Sequence, residues 1–179
     1  MSKKKLTRKQ ILKKASKIKL LITDVDGVLT DTGVYYSAKG EELKRYSIRD
    51  GMGIERLKNL VNVETAIMTR ENTDIVKSRA NKLKITKLFM GILEKEKTLN
   101  EILTNSNLEV EEVAYMGDDT NDVEIMKLVG LSACPNDATK FAKDVSDLIV
   151  ESKGGNGALR DFVELIIEAK LQKFKKDKK

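Results

Sequence analysis

Apolar residues in this chain gather into short runs, each closed by a polar or turn-forming residue. Such runs occupy Lys19-Leu-Leu-Ile-Thr23, Val63-Glu-Thr-Ala-Ile-Met-Thr69, Lys87-Leu-Phe-Met-Gly91, Val113-Ala-Tyr-Met-Gly117, Leu131-Ser-Ala-Cys134 and Leu148-Ile-Val150. Short, nearly continuous apolar runs suit strands covered on both faces, as in a parallel sheet. Between them the period changes. Ile54, Leu57 and Leu60 share one helical face within 53–60, as do Ile75, Val76, Arg79, Ala80 and Leu83 within 73–83. Segments 97–103, 122–129 and 158–171 follow the same spacing. Strands alternating with helices predict an α/β fold, a doubly wound parallel sheet with right-handed crossovers, over residues 18–169.

Two segments stand outside the alternation. Gly33 to Ser47 has two β-leaning arms around Ala38-Lys39-Gly40-Glu41, which predicts a hairpin. It directly follows the first strand, so it belongs at the carboxyl edge of the sheet, where open α/β sheets bind ligands. At the other end of the reading, Leu6, Ile11, Leu12 and Ala15 fall on one side of a possible helix in a basic arm, residues 1–17.

Charge is distributed unevenly. The chain of 179 residues has a formal charge of +6. Residues 1–19 hold nine Lys/Arg and no acid, and residues 170–179 hold six lysines and Asp177. The ends thus carry +9 and +5, leaving −8 on residues 20–169. Basic ends can hold polyanions, but solvated lysines are the commoner use, so no nucleic-acid partner is expected. No stretch reaches the ~18 apolar residues of a membrane span, and the first residues lack the apolar run of a secretion signal. A cytoplasmic protein is the expectation, in keeping with a single cysteine.

Composition then narrows the chemistry. With no histidine, there is no Ser-His-Asp or Cys-His nucleophile pair and no His-ligated zinc site. One cysteine excludes an intrachain disulfide and a cysteine-cluster metal site. What remains is carboxylates, Lys/Arg, hydroxyls, backbone amides and a hard metal ion.

Carboxylates do cluster where such chemistry would need them. Asp24-Val-Asp26-Gly27-Val-Leu-Thr30 closes the first apolar run, and Gly117-Asp118-Asp119-Thr-Asn-Asp122 closes another. Thr69 closes a third, and Glu94-Lys95-Glu96-Lys97 follows a fourth. Singly, these read as an Asp-rich turn, a helix N-cap, a helix entry and a solvated helix start. Together, at successive strand ends, they converge in a parallel sheet, and crowded carboxylates favour a divalent cation.

This set of motifs resembles the haloacid dehalogenase superfamily of phosphotransferases, over about residues 18–169. The resemblance implies a Rossmann-like sheet with Asp24 as nucleophile and Asp26 as acid and base. It implies Mg2+ held by Asp24, the backbone carbonyl of Asp26 and Asp118, with Asp119 and Asp122 in support. Thr69 would bond the phosphoryl oxygens and a lysine would offset their charge. Gly91-Ile-Leu-Glu94-Lys95 fits the motif G-x-x-D-K with Glu for Asp, which favours Lys95 and keeps Lys97 as the alternative. The intervals between motifs leave no room for a cap domain.

Finer features are similar to the capless 3-deoxy-D-manno-octulosonate 8-phosphate phosphatase group. They are Gly40-Glu41, Lys44, Asp50-Gly-Met-Gly-Ile54, Val76-Lys-Ser-Arg79-Ala and Gly154-Gly-Asn-Gly157-Ala-Leu-Arg160-Asp161. That resemblance implies a homotetramer packed through the hairpins, with each site completed by a neighbouring subunit and the glycine turn at the site mouth. One departure stands out. The group shows T-G-R where this chain has Thr69-Arg70-Glu71, and Glu71 with Lys82 looks more like a branch acting on nonulosonate 9-phosphates. Thr30, Arg70, Glu71, Arg79 and Lys82 are the candidate substrate contacts, Arg79 for an anionic group. The expected function is Mg2+-dependent hydrolysis of a 3-deoxy-ulosonic acid phosphate. A non-catalytic assembly module for a sialate cytidylyltransferase, and a receiver domain, are the competing readings.

Overall fold

The computed structural model describes residues 6–177, with side chains through Phe174; the outermost parts of the two basic ends, 1–5 and 178–179, lie outside the described residues. The chain alternates as its pattern predicts. In order it forms α1 (Arg8–Ala15), β1 (Leu20–Thr23), β2 (Thr30–Ser37), β3 (Gly40–Tyr46), α2 (Ile48–Val61), β4 (Glu64–Met68), α3 (Asp74–Lys82) and β5 (Lys87–Phe89). There follow α4 (Lys95–Ser106), β6 (Val113–Met116), α5 (Val123–Leu128), β7 (Leu131–Cys134), α6 (Lys140–Val145), β8 (Leu148–Ile149) and α7 (Ala158–Asp177).

Six strands make one sheet in the order β5-β4-β1-β6-β7-β8, and every pair is parallel. The chain steps outward from β1 through β4 to β5. It then returns to the other side of β1 with β6 and steps outward again. That reversal opens a crevice beyond the carboxyl ends of β1 and β6. The register fixes what meets there: Thr23 pairs with Met116, so Asp24 and Gly117 leave the sheet at the same level.

Alternation within β1 splits the core into two layers. Leu21 joins Ile11 and Ala15 of α1, Leu57 of α2, Val76 of α3 and Phe162 of α7 on one face. Leu20 and Ile22 join Leu99 of α4, Ile125 of α5 and Ala142 of α6 on the other. The sheet is therefore covered on both sides, which is why its strands are apolar throughout. The segment within the basic arm is a helix. Thr7 and Gln10 cap α1 reciprocally, and Arg8 to Glu168 (2.9 Å) and Lys14 to Asp147 (3.1 Å) tie it down.

Helices α2, α6 and α7 differ from expectation, α7 by running to Asp177, past the expected 171 and into the basic end. Helix α2 begins at Ile48, ahead of the expected Gly53, because the Ser47 hydroxyl accepts from the Asp50 N–H and caps it. Gly51 and Gly53 lie inside it. A Cβ on Gly51 would come 2.9 Å from Leu83 Cδ2, and one on Gly53 3.1 Å from Arg160 Cδ. Close packing explains them. Helix α6 was not expected: only Ala142 of its residues is buried, so it carries no apolar stripe.

The hairpin β2–β3 is a separate antiparallel pair and starts at Thr30 rather than Gly33. Tyr35, Tyr36 and Leu43 are exposed on it. Among the described residues no cap domain interrupts the fold, and no helix is long and apolar enough to cross a membrane.

Candidate active site

The floor of the site is the end of β1. The Asp24 N–H donates to the Met116 carbonyl (2.9 Å), and Asp24 Oδ1 accepts from Val25 N–H (2.7 Å), so the carboxylate is held at the sheet edge. The N–H groups of Val28, Leu29 and Thr30 all donate to the Val25 carbonyl, which folds the next residues into a compact loop. Gly27 sits in it at φ +79°, and a Cβ there would lie 1.9 Å from Asp118 Oδ2. Only glycine permits both that conformation and that approach. The loop leans on the glycine turn: Gly155 N–H donates to the Val28 carbonyl (2.9 Å), and a Cβ on Gly154 would strike the Gly27 carbonyl oxygen at 1.9 Å. The turn therefore buttresses the Asp24–Thr30 loop from beneath.

Asp122, fully buried, organises the opposite wall. Its Oδ1 accepts from Lys95 Nζ (2.6 Å) and the Tyr115 hydroxyl (2.6 Å). Its Oδ2 accepts from the backbone N–H of Asp118 (2.8 Å) and of Asp119 (3.3 Å). Gly117 leaves room for it, since a Cβ there would sit 2.4 Å from Asp122 Cγ. Lys95 Nζ also reaches Asp24 Oδ2 (2.8 Å), and both side chains are buried. Lys97 is exposed and pairs with Glu94 (2.6 Å), away from the site.

Asp24, Asp118 and Asp122 each offer an oxygen within 4.8 Å of the others. Their mutual repulsion is visible in their acidities. Burial, then Asp122 and Asp24, pushes Asp118 up to about 8. Burial and Asp122 raise Asp24 to about 7 against the pull of Lys95. Burial opposes the charge on Lys95, but Asp24 and Asp122 more than offset it, so it stays an ammonium. Three carboxylates face one cation here. An all-oxygen donor set with surplus negative charge fits a hard divalent ion.

These groups open onto a pocket of about 420 Å³ lined by Asp24, Asp26, Thr69, Arg70, Glu71, Asp118 and Asp119, with Thr32, Leu93 and Asn121 at its walls. Thr69 is placed by β4 and β5: its N–H donates to the Phe89 carbonyl (2.9 Å), and its hydroxyl accepts from Glu71 N–H (3.1 Å). Thr30, buried, reaches Asp26 Oδ1 at 3.4 Å and does not line the pocket. Arg79 and Lys82 do not reach the pocket within this chain. Arg79 donates to the Ser47 carbonyl (2.8 Å) and lies over the Tyr46 ring, 5.1 Å from its centroid, so it secures the base of the hairpin.

The model of the haloacid dehalogenase-like hydrolase family matches residues 35–160. The chain belongs to the haloacid dehalogenase-like hydrolases. That match begins beyond the Asp24–Thr30 loop, and full-length relatives cover the loop as well. The 3-deoxy-D-manno-octulosonate 8-phosphate phosphatase of Yersinia pestis is 38% identical over 89% of this chain and 84% of its own length. The cobalt-bound phosphatase of the same kind from Haemophilus influenzae superposes with a TM-score of 0.84 at 35% identity, covering 88% of this chain and 91% of that one. The Moraxella catarrhalis enzyme, in complex with magnesium, phosphate and a KDO molecule, gives 0.87 at 32% identity over 95% and 98%. This member of the family is a phosphoric monoester hydrolase with a divalent-metal site.

Sequence reasoning named Asp122 as a supporting residue without its partners, and gave Tyr115 no part. A tyrosine inside an otherwise aliphatic buried strand was the available signal, because a buried hydroxyl needs a partner. Lys44 was noted only as part of a family-like pattern, yet it grips Asp26 with 2.8 Å bonds to both carboxylate oxygens.

Proposed function

We propose that this hydrolase removes phosphate from 3-deoxy-D-manno-octulosonate 8-phosphate in a Mg2+-dependent reaction with an aspartyl-phosphate intermediate. The supporting observation is the buried Asp24, facing the pocket with Lys95 on one oxygen and a backbone N–H on the other. Relatives at 35–38% identity over most of the chain carry that activity in their names.

Asp24 attacks phosphorus, and the ester P–O bond breaks. Asp26 gives its proton to the departing sugar oxygen and becomes a carboxylate. Asp26 then takes a proton from water as the water oxygen attacks phosphorus, and the P–O bond to Asp24 breaks. Thr69 holds a phosphoryl oxygen, Lys95 offsets the phosphoryl charge from behind Asp24, to which it is bound at 2.8 Å, and Arg70 meets the phosphate or sugar at the rim. Asp24, the Asp26 carbonyl and Asp118 would hold Mg2+, which supplies charge neutralisation and Lewis acidity when bound. Asp122 is committed to Lys95, Tyr115 and two backbone N–H groups, so its part is to fix these neighbours.

Glu71 on the pocket wall supports a second reading, a nonulosonate 9-phosphate. Exposed Tyr35, Tyr36 and Leu43 on the hairpin support a homotetramer assembled through it, with each site closed by a neighbour. A panel of octulosonate 8-phosphate, nonulosonate 9-phosphates and unrelated phosphates, assayed in Mg2+ and in EDTA, tests the substrate. Octulosonate 8-phosphate should be preferred, and Asp24→Asn should lose at least about 10³-fold in kcat with folding intact. Preference for an unrelated phosphate would overturn the substrate, and wild-type-like turnover by Asp24→Asn the mechanism.

A further inference from the structure

The hairpin is the one strand pair of the described fold outside the main sheet, and most of its side chains face solvent. Lys44 does not. It lies in β3 between exposed Leu43 and exposed Arg45, yet its own side chain is only 1% exposed. Its amine makes 2.8 Å bonds to both Oδ1 and Oδ2 of Asp26. A second carboxylate, Glu41, stands 3.4 Å away at ion-pair distance, its Oε1 buried and without a hydrogen bond.

Burying an ammonium is costly unless its partners are well placed, and a hairpin needs no such group to hold its two strands together. Burial works against the charge on Lys44, but Asp26 and Glu41 more than offset it. The arrangement concerns Asp26 in particular, because the two bonds fix the plane of a carboxylate that lines the pocket. Asp26 has little other side-chain restraint, only the Thr30 hydroxyl at 3.4 Å. Remove Lys44 and the carboxylate is free to rotate away from the scissile oxygen. A misplacement of about 1 Å at a reacting group can cost on the order of 10²-fold in rate.

We propose that Lys44 is a positioning residue for the acid/base Asp26, so that the hairpin is mechanically tied to the proton-transfer step. Glu41 keeps the amine at the head of this tie. The hairpin then orients a reacting group from within the same chain, in addition to any part it has in covering the pocket. Anything that seats or shifts the hairpin, such as a second copy on its exposed face, acts on Asp26 through this one amine. The inference rests on the assignment of Asp26 as acid and base.

Kinetic coupling between the two residues tests it. Lys44→Met should lower kcat on the sugar phosphate about 10- to 100-fold and leave KM within about threefold, since the tie acts on proton transfer rather than binding. Lys44→Arg should recover most of the loss. In an Asp26→Asn background, Lys44→Met should cost less than about twofold more, because its effect passes through Asp26. Lys44→Gln, which keeps a donor, serves if Lys44→Met does not fold. Equal losses in both backgrounds, or an unchanged kcat in Lys44→Met, would overturn the proposal. Running the same cycle on a simple aryl phosphate separates the two readings: turnover of that ester alone rejects the sugar substrate, and the coupling is still measured.

Discussion

Among the described residues Lys95 is the only cation paired with Asp24 and Asp122, so its removal offers the sharpest test of the site's electrostatics. Lys95→Met keeps the length and the apolar stem and deletes the charge. It strips Asp24 of a 2.8 Å partner and Asp122 of a 2.6 Å one, in side chains that are 0–6% exposed. Removing one member of a buried pair costs about 3–5 kcal/mol, because the charge left behind has neither a partner nor water. For a chain of this size each kcal/mol moves Tm by about 2–4 °C, so the variant should melt about 6–20 °C lower in EDTA. The variant site is more negative and should bind a divalent cation more tightly. Each tenfold gain in affinity narrows the gap to wild type by about 1.4 kcal/mol in Mg2+. Urea unfolding followed by circular dichroism, with and without Mg2+, measures both quantities. A gap below about 1 kcal/mol in EDTA would refute the claim that Lys95 offsets this cluster, and a gap unmoved by Mg2+ would refute the claim that the cluster is the metal site.

Two further outcomes follow from the same geometry. Asp24 and Asp118 stand near 7 and 8, above the ordinary carboxylate value of 3.8, so between about pH 4 and 8 the folded state binds more protons than the unfolded one. Stability in EDTA should therefore fall as pH rises through that window, and saturating Mg2+ should flatten the slope; a stability that rises with pH there in EDTA contradicts it, as urea midpoints from pH 5 to 9 would reveal. Gly27→Ala should destabilise by about 1–3 kcal/mol through its positive φ and weaken metal binding by displacing the Asp118 carboxylate, readable by denaturant unfolding and metal titration. Unchanged metal affinity in that variant would show that Asp118 does not need its present approach to Gly27.

Much of this architecture was readable because a parallel sheet writes a local signal: short apolar runs, each ended by the residue that emerges at the site. Asp24, Thr69 and Asp118 sit at such ends and could be named from the chain. The partners of Asp122 could not, since Lys95 lies 27 residues away and Tyr115 7, and only the placement of α4 beside β6 brings them together. Arg79 shows the converse. Its spacing marks one face of α3, but whether that face meets the pocket or the hairpin base depends on where β3 ends, and Tyr46 and Ser47 claim it. Helix α6 left no trace because a six-residue helix with one buried alanine has no stripe to read.

A chain without histidine lacks the usual side chain that titrates near neutrality, yet this site has two groups that do. Burial and mutual repulsion lift Asp24 and Asp118 into that range, and the lift is a measure of how unfavourable the anionic cluster is by itself. Three carboxylates against one ammonium leave a surplus of two negative charges. Protons can relieve that surplus, and so can a divalent cation, but only the cation leaves Asp24 a carboxylate. In the proposed mechanism Asp24 is the nucleophile and must be unprotonated to attack, so the relief that suits that chemistry is the metal. The same strain ties metal affinity to pH, since each proton bound near 7 or 8 must leave before the cation enters. Under the proposed mechanism the acidic surplus beneath the chain's net positive charge thus has a use: it draws in a divalent cation, and that cation keeps Asp24 ionised and offsets the pocket's charge for the substrate's phosphate.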